Sequence, residues 1–363
     1  MDANYATSQN TTLPLSPKVA VVGTSGYSGL ELVRLLLRHP NAKLRACFST
    51  QNDFDWTGYL PSARSIPVLN VKDLDEWARE LDTVFLATPL EVSLELAPKL
   101  LDVGLKVIDL SGGYRLESAD DYPAWYHHTH SSPDLLAKAE YGLTPWAGKP
   151  KSNLIANPGC YATSILMALL PLVKRDYLQL DSIIVDAKSG TSGAGRKAAE
   201  HLLFTEVEGE CLPYRISRHQ HLPEIQQSLK KFGGGKPVEI TFTPHLLNIR
   251  RGILSSIYAK TAPGVTLGEI NAAFARDYSD YPLIEWGALD STDSRANQAR
   301  LSLKRVVGSP LTRVHYQLDG QRLFLFSLLD NLLKGAASQA IENFNRLFDL
   351  PLQRGLENLE AVL

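Results

Sequence analysis

Val19-Ala20-Val21-Val22-Gly23-Thr24-Ser25-Gly26-Tyr27-Ser28-Gly29 decides the fold. The apolar run reads as a buried strand, and the glycines read as a tight turn. Ser28 to Arg38, with Leu30, Val33, Leu36 and Leu37 on one side, reads as a helix. Ser28 is its expected cap and His39-Pro40-Asn41 its stop. A glycine turn between strand and helix lets backbone approach a pyrophosphate at the helix N-terminus. Gly23, Thr24, Ser25, Gly26, Tyr27, Ser28 and Gly29 are therefore candidate cofactor-binding residues. Their spacing departs from G-x-G-x-x-G, so the strand, turn and helix setting carries the dinucleotide reading.

Working outward, Leu44 to Phe48 is the next strand, followed by Thr83 to Ala87, a helix near Ser93 to Leu101, and a strand over Lys106 to Leu110. Strands alternating with helices imply a parallel, doubly wound α/β sheet. In an NAD site a carboxylate is expected about 20 residues beyond the glycines, on the ribose hydroxyl. Ser49 and Thr50 stand there instead, which favours NADP.

Beyond Cys160 the pattern changes. Ser182 to Ala187, Val238 to Thr243, Gly252 to Lys260, Ala299 to Val306, Thr312 to Leu318 and Arg322 to Leu328 are strand-like, with a hairpin signal at Asp319-Gly320. Helices are expected only near Pro223 to Lys231, Thr266 to Asp277 and Asn331 to Phe348. This describes an α+β domain with a mostly antiparallel or mixed sheet, whose last helix packs back on the first domain.

The chain has 363 residues, long enough for two domains. With 44% hydrophobic and 21% charged residues and a net charge of −2, it has the composition of a soluble protein with no bulk charge for nucleic acid or membrane. No apolar run approaches the ~18 residues of a membrane span. Three irregularly spaced cysteines argue against a disulfide framework and for the cytosol. Met1 to Ser16 is polar, without Lys or Arg, and reads as a disordered tail.

Asn157-Pro158-Gly159-Cys160 lies between the apolar run Leu154-Ile155-Ala156 and a helical stretch from Ser164 to Val173. This order places the thiol at a helix N-terminus, where unpaired N–H groups favour thiolate. Cys160 is the candidate nucleophile, whereas Cys47 and Cys211 lack such a setting and read as structural. Arg218-His219-Gln220-His221-Leu222-Pro223-Glu224 supplies an imidazole for proton transfer and opens a helix with Pro in its first turn. His127, His128 and His130 read as solvated loop residues, and no metal is expected. Ser189 to Arg196 has the glycine content of an anion-binding nest but lacks the Lys-Ser/Thr ending of a P-loop.

Together these segments resemble the N-acetyl-γ-glutamyl-phosphate reductase family. The matching pieces are Gly23 to Gly29, Asp109-Leu110-Ser111 with Tyr114-Arg115-Leu116, Pro158 to Tyr161 with Thr163, Ser189 to Arg196, His219-x-His221-x-Pro223-Glu224-Ile225, Arg251 to Leu254, and Asp330-Asn331-Leu332 with Lys334-Gly335. Gly112-Gly113 stands where the family often has Ala-Asp, and Asp53 to Pro67 has no counterpart.

The resemblance implies a Rossmann domain over 17–159 and 330–363, joined to a glyceraldehyde-phosphate-dehydrogenase-like catalytic and oligomerisation domain over 160–329. It implies NADPH as hydride donor, a small-molecule acyl phosphate as substrate, and a homodimer or homotetramer. Cys160 becomes the nucleophile and His219 the acid/base, with Ser189, Gly190, Gly193, Asn331 and Gly335 on the cofactor. Among the arginines, Arg115 is the candidate for the phosphate, and Arg218 and Arg251 are candidates for the substrate carboxylate. Two alternatives stand beside this reading: a carrier-linked aminoadipyl-phosphate reductase of lysine biosynthesis, and a non-catalytic dinucleotide sensor. Aspartate-semialdehyde dehydrogenases fit less well, because their catalytic cysteine and histidine lie much further apart in sequence.

Overall fold

The computed structural model describes residues 16–49, 56, 58–290 and 292–361. The tail expected over 1–16, except Ser16, and Thr50 lie outside the described residues.

Strands β1 (Lys18–Val22), β2 (Lys43–Ser49), β3 (Val68–Asn70), β4 (Thr83–Leu86), β5 (Lys106–Asp109), β6 (Glu140–Tyr141) and β7 (Leu154–Ala156) form one sheet in the order β3-β2-β1-β4-β5-β7-β6. Every pairing is parallel. Helices α1 (Tyr27–Leu36), α2 (Leu74–Ala78), α3 (Leu90–Asp102), α4 (Tyr122–Tyr126) and α5 (Pro133–Leu136) lie between these strands in sequence. β1, β4 and β7 are apolar and buried almost throughout, as a sheet covered on both faces requires. The strand order reverses between β1 and β4, which opens a crevice at their C-terminal ends.

Gly23 occupies that point with φ +92°, and a Cβ there would lie 2.3 Å from the carbonyl of Ala87. A Cβ on Gly29 would lie 2.3 Å from the carbonyl of Gly23, so the first and third glycines serve close packing. Gly26, not Ser28, is the N-cap of α1, and no side chain caps it. The turn delivers the helix two residues earlier than a Ser28 cap would, leaving first-turn N–H groups without a side-chain acceptor.

The second half contains α6 (Cys160–Val173), β8 (Ile183–Gly190), α7 (Phe204–Val207), β9 (Cys211–Pro213), α8 (His221–Phe232), β10 (Ile240–Leu247) and β11 (Ile253–Lys260). After these come α9 (Leu267–Tyr278), β12 (Ile284–Ala288), α10 (Ser294–Arg300), β13 (Thr312–Asp319) and β14 (Arg322–Leu329). Its sheet runs β12-β13-β14-β11-β8-β10-β9 and is mixed: β8 with β10 and β12 with β13 are parallel, the rest antiparallel. The β13–β14 hairpin turns through Gly320-Gln321, with Gly320 at φ +59°. The strand expected over Ala299 to Val306 is instead the end of α10 and a 3-10 turn over Leu303–Arg305. Asp293 caps α10 by accepting from the Ala296 N–H at 2.8 Å, and that local bond outweighs the alternating pattern.

α6 is apolar around its circumference and buried from Tyr161 to Val173. Pro171 removes the N–H that the Met167 carbonyl would accept, and the Tyr278 hydroxyl replaces it at 2.7 Å. After β14 the chain makes a π-helical turn, Leu333–Ala337, and enters α11 (Ser338–Leu347). α11 returns to the first sheet: the Phe344 ring lies 6.0 Å from Phe85 and 5.4 Å from His39, whose Nε2 is 3.0 Å from Asn345 Oδ1.

Candidate active site

The turn that carries Cys160 is held from three sides. The Asn157 N–H donates to the Asp109 carbonyl at 2.8 Å, extending β7 beside β5. Arg115 reaches in from the loop after β5, donating from Nε to the Asn157 carbonyl at 2.9 Å and from Nη2 to the Leu110 carbonyl at 2.7 Å. From α8, the buried Glu224 accepts the Gly159 N–H at 2.8 Å and the Tyr141 hydroxyl at 2.7 Å on Oε1, with Oε2 3.8 Å from Arg115 Nη1. Gly159 is the N-cap and Cys160 the first residue of α6, as the Pro-Gly turn suggests.

The half-buried Cys160 does not carry the thiolate that its helix position suggests. Burial pushes the thiol up to about 11, against the charge of Arg115 and the N–H groups of Tyr161 and Cys160. Loss of solvation outweighs the helix terminus, so the sulfur is protonated at neutral pH.

His219 sits in an aromatic box, with ring centroids 5.4 Å from Tyr161, 5.6 Å from Tyr214, 5.5 Å from Phe242 and 4.7 Å from His221. Burial, and then the charge of Arg215, lower its pKa to about 3, so the ring is neutral. Its Nδ1 accepts the His221 main-chain N–H at 3.1 Å, which assigns the proton to Nε2 and makes that nitrogen a donor. His221 is turned the other way. Its Nε2 lies 3.4 Å from Arg115 Nη1, and since guanidinium only donates, Nε2 is the acceptor. Burial, with His219, Arg115 and Arg215, holds its pKa well below the ordinary value.

The three candidate arginines have different surroundings. Arg115 is inside the site, but its fork is engaged by main-chain carbonyls, His221 and Glu224, which makes it a brace for the cysteine turn. Arg218 is exposed on the loop before His219. Arg251 lies between Glu31 at 2.9 Å and Asp330 at 3.2 Å, carboxylates from α1 and from the residue after β14, while its buried Nη2 has no hydrogen-bond partner among the described residues.

On the cofactor side a cleft of about 470 Å³ lies between α1 and the Ser189 to Arg196 segment, lined by Tyr27, Tyr59, Ser192, Arg196, Arg251 and Leu332. Ser189 and Gly190 end β8, and Gly190 packs so tightly that a Cβ would meet the Arg251 nitrogen at 2.7 Å. Gly193 follows in a 3-10 turn. Asn331 fastens this region by donating to Ser192 Oγ at 3.0 Å and accepting the Gly252 N–H at 2.8 Å. A Cβ on Gly335 would lie 2.7 Å from the Cβ of Cys160, so this glycine admits the cysteine. Ser49 is buried at the end of β2 rather than open to the cleft.

Other side chains depart from the sequence reading. His130 is buried, with Nε2 2.9 Å from the Gly113 carbonyl and its ring packed edge-on against Tyr114 and Tyr122. Cys211 is exposed on the edge strand β9, whereas Cys47 is buried in β2. Gly112, where the family often has a larger residue, is covered by the Tyr126 ring, 2.1 Å from where its Cβ would stand. Glu224 and Gly159 went unassigned in the sequence. The available signal was the spacing of Glu224 three residues beyond His221, on one face of α8.

A strand, Pro-Gly turn and helix presenting a thiol beside a histidine pair, joined to a nucleotide-type sheet, define an oxidoreductase of the semialdehyde dehydrogenase class. Residues 18–153 match the family model for the semialdehyde dehydrogenase NAD binding domain, and 160–331 match that for the semialdehyde dehydrogenase dimerisation domain. Among solved structures, aspartate semialdehyde dehydrogenase II from Vibrio cholerae shares the fold with a TM-score of 0.68 at 17% identity, over 92% of this chain and 98% of that one.

Among curated proteins, N-acetyl-gamma-glutamyl-phosphate reductase from Brevibacillus brevis is 39% identical over 93% of this chain and 97% of its own. The same enzyme from Idiomarina loihiensis is 40% identical over 94% and 98%. The chain belongs to the N-acetyl-γ-glutamyl-phosphate reductase family. A nicotinamide dinucleotide fits the first domain: the open Gly26 tip and the first turn of α1, uncapped by any side chain, form a cradle for its pyrophosphate. Among the described residues no helix is long and apolar enough to cross a membrane.

Proposed function

We propose that this protein reduces N-acetyl-γ-glutamyl phosphate to N-acetylglutamate 5-semialdehyde and phosphate with NADPH, in arginine biosynthesis in the cytosol. The observation that carries the reading is the packing of the Gly159-Cys160 turn directly against the His219/His221 pair.

In this mechanism Cys160 Sγ bonds to the acyl carbon, the bond to phosphate breaks, and the thiol proton leaves with the phosphate. A nicotinamide dinucleotide held by the glycine turn after β1 would supply the hydride for reduction of the thioester. His219, fixed with its proton on Nε2, hydrogen-bonds to the oxygen as negative charge develops there, assisted by the first N–H groups of α6. Expulsion of the sulfur releases the aldehyde, and the thiolate regains a proton, which the high thiol pKa favours. Glu224 and Arg115 hold the turn that aims the sulfur.

The cofactor-binding part comprises 17–159 with 330–363, and the catalytic part 160–329. The second sheet leaves Ile184 49% exposed and Tyr258 38% exposed, and this open face is the proposed contact between subunits of a dimer or tetramer. Phosphate-dependent NADP reduction with N-acetylglutamate semialdehyde, compared with aspartate semialdehyde and the aminoadipate analogue, tests the reading. A preference for either competitor would overturn it.

A further inference from the structure

Arg196 belongs to the catalytic half of the chain, yet its guanidinium is on the nucleotide half. Nη1 donates to the Ser25 carbonyl at 3.1 Å, at the tip of the glycine turn. Nη2 donates to the Tyr59 hydroxyl at 2.8 Å, and the guanidinium carbon lies 4.9 Å from the centre of the Tyr59 ring. Ser25 precedes α1, whereas Tyr59 belongs to the connection between β2 and β3. In sheets of this kind the adenosine ribose lies between those two segments, since the residue that reads its hydroxyls stands at the end of the second strand. Arg196 therefore spans the position of the ribose, at the rim of the cleft it lines with Lys197 and Tyr27.

Lys197, Arg250 and Arg251 line the same cleft. Arg251 already faces Glu31 and Asp330. Ser49 is buried at the end of β2. Arg196 is exposed, lies over the Tyr59 ring, and carries a planar fork of the kind that pairs with phosphate oxygens.

We propose that Arg196 reads the 2′-phosphate of NADPH, exchanging its bond to the Ser25 carbonyl for a bond to the phosphate and so setting cofactor choice from the catalytic domain. This rests on the NADPH reading above.

The test is binding to the intact enzyme, with NADPH and NADH titrated by their fluorescence and with 2′,5′-ADP and 5′-ADP as competitors. Arg196→Gln is expected to weaken NADPH and 2′,5′-ADP by ~10- to 100-fold, the scale of one or two lost charge-assisted hydrogen bonds. NADH and 5′-ADP should bind the variant as they bind the parent, which also shows that the cleft is intact. Arg196→Lys should restore part of the loss, because a point charge pairs with phosphate less well than a fork. Equal weakening of all four ligands, or of none, overturns the assignment of Arg196. If the parent protein itself binds NADH as tightly as NADPH, the NADPH reading fails before any variant is made and takes this proposal with it.

Discussion

A Cβ atom on residue 159 would lie 2.4 Å from Nε2 of His221. Gly159 is thus glycine because the histidine ring occupies the side-chain position, and its backbone is ordinary, at φ −71° and ψ 154°. The same residue precedes the nucleophile and gives its N–H to Glu224, so one glycine joins the cysteine turn, the histidine pair and the α8 carboxylate.

Gly159→Ala should therefore fold but lose turnover by about 10²-fold, the scale of an ångström-sized misplacement at a reacting centre. Either the His221 ring or the Cys160 turn must move. Steady-state rates beside a thermal unfolding curve check this, and an active Gly159→Ala enzyme would show that the His221 position is immaterial.

Cys160→Ser should bind NADPH and lose nearly all turnover, because a serine hydroxyl is less acidic and a poorer leaving group. In the parent, the ligand-free thiol is pushed up to about 11 by burial. Iodoacetamide alkylation of Cys160 should be slower at pH 7 than that of a free thiol and rise about tenfold per pH unit through pH 10. A plateau near neutrality would mean that the helix terminus outweighs burial.

Much of this site was legible because its chemistry follows the chain. The strand, Pro-Gly turn and helix around Cys160 are local, as is the glycine turn after β1, and each reads from consecutive residues. What sequence could not give is what crosses the fold. The bonds of Arg115 to Asn157 and Leu110, and the Glu31 and Asp330 carboxylates beside Arg251, join residues far apart in the chain and leave no mark in either arginine's own segment. Burial likewise reversed the expected state of the thiol, and a solvent-excluded environment leaves no mark in a single segment. β3 and β12 were missed because both are short and only partly buried, so neither shows a clean alternation.

The two site histidines should make the protein sensitive to acid. Both are buried and neutral when folded, His219 at about 3 and His221 well below its ordinary value, while the unfolded chain protonates them near 6.5. As pH falls below 6.5 the unfolded state takes up protons that the folded state refuses, so stability declines by about 1.4 kcal/mol per pH unit for each histidine, down toward pH 3 for His219. Urea unfolding at pH 7 and pH 5 should show this slope, and His219→Gln should remove one histidine's share of it. For turnover, His219→Asn should lose about 10²–10³-fold, the range for a displaced donor to a developing oxyanion, and His221→Asn less. A larger loss at His221 would exchange their roles.

The last prediction concerns the fully buried ion pair behind the cysteine. Lys334 Nζ lies 2.8 Å from Glu342 Oε1 and bonds to the Tyr281 hydroxyl and to Thr144, while Glu342 Oε2 accepts from Thr144 and Tyr281. Burial pulls the lysine pKa down, and Glu342 opposes that pull. Lys334 sits in the π-helical turn whose next residue, Gly335, packs against Cys160. Removing one charge leaves the other buried and unmatched, so Lys334→Met should destabilise by about 3–5 kcal/mol in urea unfolding, whereas removing both leaves no orphan charge. Lys334→Met with Glu342→Gln should recover most of that stability. If the π turn also sets the position of Gly335 against the nucleophile, the double variant will be stable yet slower than the parent, with the loss in kcat rather than KM. A double variant as unstable as the single one would mean that the hydrogen bonds to Thr144 and Tyr281, not the charges, hold this part of the core.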